Sequence, residues 1–149
     1  MKKIYYNNRL AKIVLGLSSC HTIMFFGFVI SKRTQDRITK ETENHEFIHM
    51  VQYWVCFALG AVLAIPLVYF CSWWFALLPV VLYYLLYVIE AGVSFVHHFF
   101  STKKKNPAAA ADKAYRNSAM EIEAYENEGN FEYLMTRPWW ANFRYYGRL

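Results

Sequence analysis

From Trp54 to Ile89 the chain carries no charged side chain, and this run limits the possible folds more than any other feature. Backbone and side chains over such a length must be shielded from water, as one overlong membrane span or as two short ones. Pro66 and Pro79 interrupt it, and Cys71-Ser72 sits between two bulky stretches. The run therefore reads as a helical hairpin over about residues 54–100 with a tight turn near 71–72. Each arm is short for a full crossing, so tilt or local thinning of the bilayer is expected. A chain of 149 residues with 56% hydrophobic and 19% aromatic content is too apolar for an ordinary soluble domain and has room for one domain. The expectation is a single, mainly α membrane-associated domain over residues 1–149.

The net charge of +5 comes in clusters: Lys2, Lys3, Arg9 and Lys12; Lys32, Arg33, Arg37 and Lys40; Lys103, Lys104 and Lys105. Nucleic-acid binding needs such charges on one face. Flanking charge around a membrane hairpin is the simpler reading, and it excludes nucleic acid as a partner. The second and third clusters bracket the hairpin, which places both outer ends on the cytoplasmic side and the turn outside. Cys20, Cys56 and Cys71 lack CxxC spacing and are odd in number, so they read as buried thiols. The stretch from Leu10 to Ile30 has no small-residue cleavage site before Lys32-Arg33, and no export signal is evident in it. A bacterial inner membrane is the expected location.

Residues 10–30 can be one span, or a short helix or strand up to Leu17 followed by a β-forming run, Thr22 to Ser31. The second reading is favoured: a short edge strand or small β element over 22–31, able to pair with an extended peptide. A helix capped by Thr39 or Thr42 then runs without a break into the first arm. Lys103 to Asn106 is a loop, and Asn106-Pro107 starts a C-terminal helix over about 107–128, with Gly129 as its stop. The tail from Phe131 mixes Trp139, Trp140, Phe143, Tyr145 and Tyr146 with Arg137, Arg144 and Arg148, a mixture suited to lipid headgroups.

The helix entering the first arm carries His45-Glu46-Phe47-Ile48-His49, an HExxH motif. Two imidazoles one turn apart can hold a metal, and Glu46, about 100° around the helix, can reach the metal-bound water as general base. Composition alone produces this pattern by chance in roughly one shuffled chain in a hundred. A catalytic zinc wants three protein ligands and an open position. The third must come from elsewhere, and the dense source of carboxylates is the segment from Glu121 to Glu128.

HExxH, an apolar hairpin and a helix bearing Glu121-Ile122-Glu123-Ala124, over about residues 39–128, resemble the HtpX-type membrane zinc metallopeptidases of the gluzincin clan. Short bacterial membrane proteins with the same HExxH and ExEA pairing are also similar. The resemblance implies Zn2+ on His45, His49 and Glu121, and hydrolysis of peptide bonds in a peptide or membrane-protein substrate. One position departs from it: Tyr125 stands where the family carries aspartate, the residue that orients a ligating histidine. Tyr125 must then accept the histidine N–H through its hydroxyl or take another role, such as donating to the oxyanion of a tetrahedral intermediate. Asn117 is a second candidate oxyanion donor, whereas Glu123, about 200° from Glu121, should look away from the metal. His97-His98 either touch the site or lie among headgroups, and Glu90 is costly in apolar surroundings unless partnered.

Two other functions are compatible with the chain. One is a non-catalytic metal-binding membrane protein acting through a partner, a role that does not need Glu46. The other is a membrane di-iron hydroxylase, whose histidine boxes need about eight histidines, against five in this chain.

Overall fold

A computed structural model describes residues 3–16, 18, 20–101 and 106–146. Lys2, the Lys103–Lys105 loop and Arg148 lie outside the described residues. In chain order the elements are β1 (Ile4–Tyr5), α1 (Arg9–Val14), β2 (Thr22–Phe25), β3 (Phe28–Ser31), α2 (Lys40–Phe70), α3 (Leu78–Ser101), α4 (Pro107–Arg116), α5 (Ala119–Asn127) and α6 (Tyr133–Thr136). Short 3-10 turns lie at Gln35–Arg37, Trp73–Leu77 and Ala141–Arg144. The fold is mainly helical with one small sheet of order β1-β3-β2, and it divides into two compact units.

The first unit comprises Met1–Trp54 and Ala124–Arg137. Its β2–β3 hairpin pairs Thr22 with Ser31 and Phe25 with Phe28, and β1 joins β3 in parallel. The β-forming run 22–31 is therefore a small β element, two strands of a three-stranded sheet. The two-residue turn at Phe26 and Gly27 has positive φ at both positions, 47° and 79°, the geometry that matches the twist of a tight hairpin. Gly27 is required twice over, since a Cβ there would come within 2.9 Å of the Trp54 ring. Val29, Ala11 and Ile48 are fully buried in this unit. The hydroxyl of Tyr6 donates to Glu43 on α2, and burial together with this carboxylate pushes the phenol up to about 12. Thr39 Oγ1 accepts the Thr42 N–H at 3.2 Å, the bond an N-cap makes at the start of α2.

The second unit comprises Val55–Glu123 and Pro138–Leu149. α2 passes through Pro66 without ending, which helices in apolar surroundings tolerate more readily than helices in water. It stops at Phe70, where the amides of Cys71 and Ser72 both donate to the Leu67 carbonyl at 2.9 and 3.1 Å. The segments Lys40–Phe70 and Trp73–Phe100 are both long and apolar enough to cross a membrane, and protein covers little of either apolar stretch. The arms meet at Gly60, where a Cβ would fall 2.8 Å from Pro79 Cα. Cys20 and Cys71 are exposed and Cys56 is buried; Cys71 sits in the turn between the two apolar helices.

The expected helix over 107–128 is two helices. Asn106 Oδ1 accepts the Ala108 and Ala109 amides and starts α4 as anticipated. The helix then breaks at Asn117-Ser118, because Ser118 Oγ takes the Glu121 N–H at 3.3 Å and starts a second helix.

Candidate metal centre

His45 and His49 lie one turn apart on α2 with ring centroids 4.8 Å apart and Nε2 atoms 3.1 Å apart. The opposite ring nitrogens are both engaged. His45 Nδ1 lies 3.0 Å from Glu128 Oε2, and His49 Nδ1 lies 2.8 Å from Gln52 Oε1, on a side chain with no exposed surface. Both acceptors call for a proton on Nδ1, so each Nε2 turns its lone pair toward the other. Two lone pairs that close repel unless a cation stands between them, either a shared proton or a metal. Two nitrogens on one tetrahedral zinc, each about 2.0–2.1 Å from the metal, lie about 3.3–3.4 Å apart, close to the spacing observed.

A third possible ligand lies near the pair. His45, His49 and Glu121 each offer one ligand atom, and these atoms all lie within 4.8 Å of one another. His49 is 6% and Glu121 2% exposed, and the His45 side chain is 12% exposed. Three convergent donors in so dry a place could hold a metal ion, and two imidazoles with a carboxylate suit several divalent metals.

Each donor is aimed by a second residue. Glu128 and Gln52 fix the two histidines, and the Tyr87 hydroxyl donates to Glu121 Oε1 at 3.0 Å. Such outer partners set ring orientation and ligand basicity. Glu128 is itself fixed: the buried Asn44 Nδ2 donates to the carbonyls of Asn127, Glu128 and Asn130 at 3.0–3.1 Å, clamping the turn that follows α5. The sequence reading missed Gln52, Tyr87 and the role of Glu128. Helical period could have found Gln52, which shares the face of His45 and His49. Nothing in the sequence marks Tyr87 among its aromatic neighbours.

The other expected site residues divide. Tyr125 packs its ring edge-on against His45 at 4.8 Å and is 41% exposed. The partner at His45 Nδ1 is Glu128. Glu46 is buried on α2, one position beyond His45 and about 100° around the helix. Glu123 is also buried, with no exposed surface. Asn117 is the C-cap of α4 and its side chain meets His98 Nε2 at 2.9 Å, with His97 packed edge-on against His98. Glu90 Oε2 accepts the Ala119 N–H at 2.8 Å. Burial, with the Glu90 carboxylate beside it, pushes the Tyr146 phenol up. No family model, no curated protein and no solved structure matches this chain.

Proposed function

We propose that the protein is a membrane-bound zinc endopeptidase that hydrolyses peptide bonds at the cytoplasmic face, with His45, His49 and Glu121 as its metal ligands. The observation that carries this reading is the pair of imidazoles, each engaged at Nδ1, whose Nε2 atoms lie 3.1 Å apart beside a buried carboxylate. The resemblance to HtpX-type peptidases supports the same ligand set. Zinc bound there supplies Lewis acidity toward a peptide carbonyl and a water acidic enough to lose a proton near neutral pH.

The remaining steps belong to the chain's own residues. Glu46 takes the proton from the attacking water and passes it to the leaving amine. Tyr125, half exposed beside His45, donates its hydroxyl to the carbonyl oxygen as negative charge builds there. β2 is an edge strand of the sheet, and its side away from β3 is the place for an extended peptide to add as a strand.

Metal analysis of the full-length protein in detergent, combined with cleavage of an unfolded protein substrate, tests this. His49→Ala and Glu121→Ala are expected to lose stoichiometric zinc. Glu46→Gln is expected to keep zinc and lose cleavage by about 10²-fold or more. Full zinc retention in Glu121→Ala would sink the ligand assignment. Zinc in the parent without cleavage of any peptide would leave a metal-binding membrane protein.

A further inference from the structure

One stripe sets α3 apart from a plain lipid-facing helix. Tyr83, Tyr87, Glu90, Ser94 and His98 follow one another at spacings of three or four, which places them on a single face. Tyr83 and Ser94 are buried on it, whereas Val88, Ile89, Val93 and Val96 on other faces are exposed. The stripe meets the junction between α4 and α5 point by point. His98 holds the Asn117 side chain, Glu90 accepts the Ala119 N–H, and Tyr87 donates to Glu121.

A carboxylate within an apolar arm is costly unless something specific repays it. Glu90 is repaid at the start of α5. Its Oε2 accepts the Ala119 N–H at 2.8 Å, the Met120 N–H also bonds to the carboxylate, and Ser118 Oγ takes the Glu121 N–H. The first three amides of α5, which a helix cannot satisfy internally, thus all find side-chain oxygens. The Tyr146 hydroxyl bonds to the same carboxylate from the C-terminal tail, where Ala141 and Asn142 are buried.

We infer that Glu90 is a positioning residue of the metal centre: it anchors the first turn of α5 to α3, so that Glu121, two residues further on, reaches the metal in register with Tyr87. The inference rests on the reading of His45, His49 and Glu121 as ligands. Tyr146 holds the Glu90 carboxylate in place, which makes the C-terminal tail part of the support.

The test is a Co2+ titration of the full-length protein in dodecyl maltoside, followed by visible absorption. The series is the parent, Glu90→Leu, Glu90→Gln, Tyr146→Phe, and the references His49→Ala and Glu121→Ala. Glu90→Leu replaces a carboxyl group in an apolar arm with an apolar side chain and so does not hinder insertion. It is expected to bind Co2+ about 10–100-fold more weakly, with a spectrum shifted toward that of Glu121→Ala. Glu90→Gln keeps a carbonyl oxygen for the two amides and is expected to recover the parent spectrum. Tyr146→Phe is expected to weaken binding several-fold. Parent-like affinity and spectrum in Glu90→Leu overturn the inference; should that variant not fold, the same result in Tyr146→Phe does so. A parent that binds Co2+ no better than His49→Ala overturns the ligand reading instead, so the two failures are distinct.

Discussion

The two imidazoles and the carboxylate of the candidate metal centre are held by different means. His45, His49 and Gln52 lie within eight residues of one helix, and their alignment follows from helical period alone. Glu121 depends on residues far away in sequence: Tyr87 and, through the Ala119 amide, Glu90, at separations of 34 and 29. The His49–Gln52 pair is therefore as durable as α2 itself, whereas His45 also leans on Glu128, 83 residues away, and the carboxylate is only as durable as its bonds to α3. A weakened site should lose its carboxylate first and keep its histidines.

Swapping the outer partners tests that asymmetry most strongly. Gln52→Leu removes the partner of His49 Nδ1, and Tyr87→Phe removes the Tyr87 hydroxyl from Glu121 Oε1; each should weaken metal binding by about 10–100-fold. The two should differ in kind. Tyr87→Phe should give a metal spectrum resembling that of Glu121→Ala, and Gln52→Leu should not; identical spectra would break the comparison.

A smaller effect is expected from Asn44→Ala. It frees three carbonyls after α5 and loosens Glu128, and should cost about 1–3 kcal/mol of stability, read by denaturant unfolding in detergent. Its effect on metal affinity should be weaker than that of Gln52→Leu, because Glu128 remains present.

The smallest effect lies furthest from the metal. Tyr6→Phe removes the bond to Glu43 and should cost about 1 kcal/mol. Tyr6 is raised from the ordinary 10.0 to about 12, so its contribution is fully present below pH 10 and is lost as the pH rises through 12. The difference in stability between parent and variant should vanish over that window. A difference that persists above it would show that the hydroxyl acts otherwise.

What the sequence revealed follows the same division between local and distant. HExxH, the break at Cys71-Ser72 and the caps at Thr39 and Asn106 are statements about neighbouring residues, and local period and propensity suffice to read them. The partner of β3 across the sheet is β1, whose two residues carry no strand pattern, so the sheet could not be assembled from the chain. The break at Asn117-Ser118 was hidden by helix-forming alanines on both sides, and distant contacts from His98 and Glu90 accompany it. Glu90 drew notice as a costly carboxylate, but its partner amides lie 29 residues away. Tyr87 was invisible because a tyrosine among tyrosines in an apolar arm has no distinguishing neighbour.

α2 is continuous from Lys40 to Phe70, so the two histidines and the first apolar arm are parts of one rod. At 1.5 Å per residue, His49 stands about 25 Å along that rod from Pro66. Placed in a bilayer, a few degrees of tilt at the Pro66 end sweeps the imidazoles through an ångström or more. Metal bonds tolerate only about 0.2 Å. Bilayer thickness, which sets the tilt of membrane-spanning helices, would then be a mechanical input to how tightly these histidines hold a metal ion.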